Sequence, residues 1–235
     1  MRKIDITRGV LAGAMVTVLA GLLPAGRAAA ASPDAPATAP ATAPGTASAT
    51  AGLRQLITVT AVSHSTTFAT FRAYQVSGKK SVLVFGPWTA RVGYNGIALP
   101  GRKREGDGTT PSGTYGFSFF FGVDPDLHFA YPFRQAYSDD YWDDDSSSPG
   151  YNEWVAGKED AGAGPEPMHS VPAYDYGAVI AYNTARKPHL GSAIFLHVGT
   201  GTDTAGCVSL PEAELLRVLH WLTPAGQPAI TITAG

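Results

Sequence analysis

The chain has 235 residues, a formal net charge of −2 at pH 7 and a single cysteine. This mild acidity argues against a nucleic-acid partner, because contacts from Lys and Arg to phosphate dominate that affinity. One cysteine excludes an internal disulfide, and the scattered histidines lack the ligand spacing of a zinc site. The composition therefore predicts a protein that binds no nucleic acid and holds no metal.

The first 52 residues differ in composition from the rest and are predicted to lie outside the folded domain. Residues 1–31 have the pattern of a secretory signal peptide, with a positive start, an apolar stretch and alanines at the end. The apolar stretch is short for a membrane span, which needs about 20 residues. Residues 32–52 are almost all Ala, Pro, Thr, Ser and Gly, which predicts a disordered tether or a pro-segment. We therefore expect a secreted protein with no membrane span in the mature chain.

Residues 53–235 are long enough for one domain and short for two, and their patterns predict mainly strands. Alternation of apolar and polar residues predicts strands at 56–62 and 66–74, and a turn at 77–80 leads into a third at 81–85. Pro87 is expected to interrupt the chain, leaving at most a short strand at 90–94. Later strands are predicted at 178–182, 194–198 and 229–233.

One helix is predicted after the cysteine. Residues 215–222 place apolar side chains at helical spacing, and Ser209 and Glu212 have the spacing of a capping box with Pro211 between them. Together, the strands and the helix predict a mainly β, β-rich single domain with a mixed-sheet sandwich or barrel-like architecture. The helix is expected to follow the single cysteine, Cys207.

Two polar segments interrupt the predicted strands. Residues 101–113 hold four glycines and five charges, and a loop of this length within a compact domain is more often functional than an average loop. Residues 139–145 hold five aspartates. They do not match the ligand spacing of a calcium loop, so they are predicted to be a solvated loop or a cap over a cleft.

Cys207 and His197 are the candidate catalytic pair. His197 ends an apolar run, and glycines in the intervening chain allow it to turn back. Because Cys207 precedes the predicted helix, we expect the helix N-terminus to stabilise its thiolate. His197 could take the thiol proton, and backbone amides around Gly206 could bind an oxyanion. A buried filler cysteine and a structural histidine are the alternatives.

The run from His197 to the TAGCVSL segment at 204–210 resembles the signature of the L,D-transpeptidase catalytic domain family. Residues 104–115 resemble the segment that introduces this domain, and 139–142, 151–152 and 181–183 are similar to the secreted actinobacterial branch. The chain has Thr-Ala-Gly-Cys where many members have Ser-His-Gly-Cys. Ala205 therefore replaces a histidine, and Ser209 replaces an arginine.

The resemblance implies that Cys207 is the nucleophile and His197 the base. It implies that the residues supporting the oxyanion and the loop are Thr204, Ala205, Gly206 and Val198. The candidate substrate-binding residues are His169, Tyr182, Asn183 and Ser209. The replacements at Ala205 and Ser209 leave open how the loop is hydrogen-bonded and how the substrate carboxylate is held.

The resemblance also implies a function: a secreted, extracytoplasmic and cell-wall-associated cysteine acyltransferase acting on peptidoglycan stem peptides. A thioester on Cys207 would pass its acyl group to an amine of another stem, without a metal or organic cofactor. We expect a monomer. Two alternatives stay open, an L,D-carboxypeptidase-type hydrolase on the same scaffold and a non-catalytic cell-wall-binding module.

Overall fold

The structure, a computed structural model, describes residues 53–235. The predicted signal peptide at 1–31 and tether at 32–52 lie outside the described residues. The strands are β1 (Leu53–Ala61), β2 (Phe68–Ser77), β3 (Lys80–Arg91), β4 (Gly113–Tyr115), β5 (Phe117–Gly122), β6 (Phe133–Gln135), β7 (Asp140–Trp142), β8 (Trp154–Ala156), β9 (Glu166–Pro167), β10 (Gly177–Ile180), β11 (Phe195–Val198), β12 (Val208–Leu210) and β13 (Ala229–Ala234). The helical segments are α1 (Glu212–Trp221) and 3₁₀ turns at Lys158–Asp160 and Pro224–Gly226.

Ten strands form one mixed sheet in the order β4-β13-β1-β2-β3-β12-β11-β10-β5-β6, and β8-β7-β9 form a second, smaller sheet. The pairs β1–β13, β5–β6 and β11–β12 are parallel. The one α-helix of residues 53–235 follows the cysteine. The prediction of a mainly β, mixed-sheet domain with a helix after Cys207 is therefore confirmed. No helix within these residues has the length and apolarity needed to cross a membrane.

Two local predictions are wrong. β3 continues through Pro87, because Gly86 and Pro87 fall where the register with β2 shifts and a missing N–H breaks no regular ladder. The capping box does not form, since Ser209 belongs to β12 and pairs with His197 of β11. Pro211 is the residue before α1, and no side chain caps that helix. Pairing within the sheet outweighs the capping preference of Ser209.

The two faces of β11 and β12 determine where the candidate site lies. Leu196, Val198 and Val208 point to the face that belongs to the main core with α1. Alternate residues of a strand face opposite sides, so Phe195 and His197 point the other way. Phe195 packs there in a second buried cluster with Cys207, which directly precedes β12.

The small sheet covers this second face. Trp142 of β7 lies in the cluster of Phe195 and Cys207, and the rings of Trp142 and Phe195 meet edge to face with centroids 5.0 Å apart. Met168, directly after β9, is fully buried in the same cluster. The thiol is thus enclosed between the central strands and the aromatic segment from 119 to 174.

Candidate active site

The turn before Cys207 is held by two buried threonine hydroxyls. Thr204 donates to the Cys207 carbonyl at 2.7 Å and accepts from the Gly206 amide at 3.2 Å. Thr110 donates to the same carbonyl at 3.1 Å and accepts from the Gly93 amide at 2.8 Å. These bonds join the 101–113 loop and the end of β3 to the cysteine turn. Thr110 is a site residue that the sequence analysis missed, although the length of its loop was a signal.

The thiol of Cys207 is buried and hydrogen-bonded to the backbone. It donates to the Ala193 carbonyl at 3.2 Å and accepts from the Phe195 amide at 3.3 Å. Burial raises the pKa of the thiol well above its ordinary value, and the nearby carboxylate of Glu166 raises it further. The expected stabilisation of the thiolate by the helix N-terminus is therefore not the dominant effect. The strand β12 separates Cys207 from α1, so the helix end lies several residues away.

His197 is a buried, neutral imidazole. Its Nδ1 lies 2.8 Å from the Val198 carbonyl, which can only accept, so this contact favours the tautomer with the proton on Nδ1 and the lone pair on Nε2. Burial lowers the pKa of His197 to about 4, although the carbonyls of Val198 and Ala173 oppose that shift. The ring packs edge to face on Tyr174, with centroids 5.4 Å apart. At neutral pH the ring can accept a proton at Nε2.

Cys207 and His197 line one cavity of about 330 Å³. No hydrogen bond among residues 53–235 joins the thiol to the imidazole, because the thiol proton is directed to Ala193. Ser209 and Ala205 also line the cavity, and Val198 favours this tautomer of His197 from behind. The structure thus brings the predicted nucleophile and base into a common cavity in their neutral forms.

The oxyanion donors predicted around Gly206 differ in availability. The Gly206 amide already donates to Thr204. The Cys207 amide donates no hydrogen bond to another residue of 53–235. Of the two, the Cys207 amide is the one available to an oxyanion. Its own carbonyl is anchored by the two threonines, which fixes the orientation of the adjoining backbone.

Four carboxylates line the cavity with the thiol: Glu105, Asp144, Glu166 and Asp203. Glu105 accepts from Tyr151, and Glu166 accepts from Tyr174. Burial raises the pKa of Asp144 to about 7, with the neighbouring carboxylates adding to the shift, and burial also raises the pKa of Glu166. The sequence analysis missed these residues, although Glu105 and Asp144 lie in the two polar segments that it singled out.

The aspartate segment is not merely a solvated loop. Asp140 and Asp143 are buried, and Asp140 accepts from the indole of Trp154 at 2.7 Å. No group of three or more His, Cys, Asp or Glu side chains within residues 53–235 is arranged to hold a metal ion. The segment instead anchors the small sheet and delivers Asp144 to the cavity.

The remaining predicted substrate-binding residues, His169, Tyr182 and Asn183, do not line the cavity that holds the thiol. His169 is exposed and does not line the cavity. Tyr182 donates to the Leu190 carbonyl at 2.5 Å, and Asn183 binds the Lys187 and Gly191 carbonyls, so both organise the loop before β11. Tyr182 lines a separate cavity. Their role toward substrate stays a prediction.

The fold and the site define a mainly β domain in which a buried thiol, an imidazole and four carboxylates share a cavity. The family model described as YkuD, L,D-transpeptidase catalytic domain, matches residues 64–230. The chain therefore belongs to the L,D-transpeptidase catalytic domain family, and this membership supports L,D-transpeptidase-type activity on peptidoglycan. No curated protein and no solved structure matches the chain.

Proposed function

We propose that the protein is a secreted, cell-wall-associated L,D-transpeptidase that cross-links peptidoglycan stem peptides through a thioester on Cys207. The observation that carries the proposal is the convergence of its only cysteine and His197 in one cavity within the region matched by the family model. The secretory pattern of residues 1–31 supports an extracytoplasmic location.

In the first half-reaction, the sulfur of Cys207 attacks the carbonyl carbon of the bond between the L-centred diamino acid and the D-residue of the donor stem. The thiol proton passes to Nε2 of His197, and the Cys207 amide donates to the oxyanion. The C–N bond then breaks, and His197 returns the proton to the departing amine of the D-residue. The product is a thioester between Cys207 and the shortened stem.

In the second half-reaction, an amine of another stem attacks the thioester carbon and gives its proton to His197. The C–S bond breaks, and the thiolate of Cys207 is reprotonated.

Before the first attack, Cys207 and His197 are both neutral, since the pKa of the thiol is raised and that of His197 is lowered to about 4. Proton transfer must therefore be coupled to the attack rather than precede it, because a resting ion pair is unfavourable in this buried setting.

Two other functions remain candidates. A hydrolase on the same scaffold would use water instead of the acceptor amine. A non-catalytic wall-binding module is favoured by one observation: the thiol proton is bonded to the Ala193 carbonyl and not to His197.

Intact-mass spectrometry with a stem tetrapeptide and an acceptor amine separates these functions. We expect an adduct on Cys207 with loss of the terminal D-residue, followed by a cross-linked product. Turnover that survives Cys207→Ala contradicts the proposal, and His197→Gln should slow adduct formation by about 10²-fold or more. Thr60→Val, at an exposed site on β1, is the control. Trimmed peptide alone identifies the hydrolase. Peptidoglycan binding without any adduct identifies the binding module.

A further inference from the structure

The lining of the cavity beside the thiol contains more carboxyl groups than cationic side chains. Its cationic lining residue, Lys103, is buried and lies 2.7 Å from Asp107, so that charge is already paired. A fourth carboxylate of the lining, Asp203, lies 3.6 Å from Arg91. No ion pair within residues 53–235 includes Glu105, Asp144 or Glu166. These three are the carboxylates without a cation.

Hydroxyl groups of the protein form hydrogen bonds with only some of the oxygen atoms of Glu105, Asp144 and Glu166. Ser192 Oγ lies 2.8 Å from Glu105 Oε2 and 2.7 Å from Asp144 Oδ1. A hydroxyl has one proton, so it can donate to only one of them, and the other contact needs a proton from a carboxyl group. Among the hydrogen bonds of residues 53–235, none reaches Asp144 Oδ2 or Glu166 Oε2. Neither atom is fully buried, so both are accessible from the cavity.

A separate observation shows that the cavity is built to contact a polar ligand. Ser209 is only 2 % exposed, lines the same cavity and has an Oγ with no hydrogen-bond partner. It pairs with His197 across β11 and β12, and it lies two residues after Cys207, so all three side chains share one face. A buried hydroxyl left unpaired costs about 1–3 kcal/mol, which a ligand polar group at this position would offset.

We propose that Glu105, Asp144 and Glu166 form a subsite beside Cys207 that binds a primary ammonium group of the peptide substrate. An ammonium group carries three N–H donors, no acceptor and one positive charge, which matches an acidic cavity with accessible carboxylate oxygens, on Asp144 and Glu166, that bind no other residue. A metal ion fits less well, because these side chains are not arranged as a metal-ligand group. The identity of the peptide rests on the proposed function, whereas the charge complementarity does not.

The subsite also couples recognition to the chemistry of the thiol. Glu166 and Asp144 raise the pKa of Cys207, after the larger effect of burial. A bound ammonium compensates their charge and so favours the thiolate at the moment of attack. Either the side-chain amine of the donor's diamino acid or the amine of the acceptor can supply the ammonium, and the test separates these sources.

The test measures equilibrium binding by calorimetry to full-length protein carrying Cys207→Ser, which cannot form the thioester. The donor arm compares a stem tetrapeptide with a free side-chain amine with the same peptide acetylated on that amine. The acceptor arm compares an acceptor stem with its acetylated form. We expect the free amine of at least one arm to bind about 10- to 100-fold more tightly, as for a charge-assisted hydrogen bond.

Variants then locate the subsite. Adding Asp144→Asn and Glu166→Gln together should abolish the discrimination, since both keep the oxygen that accepts the existing hydrogen bond and lose the charge. Adding Asp203→Asn instead should preserve it, because that carboxylate lines the same cavity but already faces Arg91. A cooperative thermal unfolding transition in each variant checks that it folds.

Each outcome has a definite meaning. Equal binding of free and acetylated peptides in both arms overturns the subsite, and this comparison depends on no variant. Loss of discrimination with Asp203→Asn but not with the double variant also overturns it. Discrimination in calorimetry without any Cys207 adduct in mass spectrometry supports the subsite and refutes the proposed acyl transfer. An adduct on Cys207 together with equal binding of the free and acetylated peptides supports the acyl transfer and overturns the subsite.

Discussion

Cys207 is held as a neutral thiol, and this protonation state determines its reactivity. Its sulfur is buried between the Ala193 carbonyl and the Phe195 amide, and its nearest charged neighbours include the carboxylate of Glu166. The thiolate is the nucleophile, so the unliganded protein holds its cysteine in the less reactive form. Reactivity toward small electrophiles should therefore be low until the cavity is filled.

The pH dependence of alkylation tests this state. We expect the rate of reaction of Cys207 with iodoacetamide to rise about tenfold per pH unit up to pH 10, because the raised pKa keeps the thiolate fraction small throughout. The alkylation rate of an ordinary cysteine levels off at about pH 8.5. Intact-mass spectrometry follows the single thiol, and the same protein in denaturant is the control. A plateau below pH 10 in the folded protein contradicts the prediction.

The hydroxyl of Thr204 is expected to contribute both to the stability of the domain and to the rate of acylation. Thr204→Val keeps the shape but removes the donor to the Cys207 carbonyl and the acceptor for the Gly206 amide. Two buried groups lose a partner, so we expect a loss of about 1–3 kcal/mol in unfolding free energy and at least tenfold slower acylation. Urea unfolding and acyl-adduct formation measure the two effects.

Thr60→Val is the matched control, because its hydroxyl makes an exposed contact with Thr233 on the neighbouring strand β13. It should change neither quantity beyond about 0.5 kcal/mol or twofold. If Thr204→Val behaves like this control, the Thr204 hydroxyl does not organise the cysteine turn.

At the scale of elements, the central strands were predictable because their apolar runs are continuous. Residues 194–198 are buried on both faces, as the sequence suggested, and α1 follows from helical spacing of apolar residues. The path of β3 through Pro87 was not predictable, because a register shift in a neighbouring strand accommodates the missing N–H. Local sequence does not contain the position of such a shift.

Some features of the candidate site could also be predicted from the sequence, and others depend on the folded chain. Cys207 and His197 were recognisable from their residue types and spacing, whereas their protonation states depend on burial by the distant segment from 119 to 174. Glu166 carried no local signal at all. Its position in the cavity results from pairing of β9 with β7, which only the folded chain brings together.

The end of β3 supports the cysteine turn through a close backbone approach at Gly93. A Cβ at this position would lie 2.3 Å from the Gly108 carbonyl. Gly93→Ala should therefore push the 101–113 loop away from the turn and cost about 1–3 kcal/mol in stability. We also expect faster alkylation of Cys207, because Thr110 would lose its hold on the Cys207 carbonyl.

Gly116→Ala is the control for this substitution, since its Cβ would meet only the Pro228 carbonyl at 3.9 Å. Urea unfolding and iodoacetamide kinetics of the two variants give the comparison. Equal stability and equal alkylation rates for both would show that the loop is not braced through Gly93.

For the whole molecule, the buried site makes stability depend on pH in two opposite ways. The pKa of His197 is lowered to about 4 from 6.5, so its contribution is complete above pH 6.5 and is lost as the pH falls toward 4. The pKa of Asp144 is raised to about 7 from 3.8, so its contribution is complete below pH 3.8 and is lost as the pH rises through 7. The two slopes oppose each other between pH 4 and 7.

Asp144→Asn should separate these contributions. The amide keeps the oxygen that accepts from Ser192 but removes the ionisation, so the variant should gain stability over the parent at pH 8 and little at pH 4. Because Asp144 is partly exposed to the cavity, we expect the unfolding free energies of variant and parent to differ by on the order of 2 kcal/mol at pH 8. This is less than the free energy that corresponds to the whole pKa shift. Denaturant unfolding at both pH values measures it. Asp139→Asn, at an exposed carboxylate of the same segment, should show little gain at either pH. A gain for Asp144→Asn that is equal at pH 4 and pH 8 would show that Asp144 ionises alike in the folded and unfolded chains.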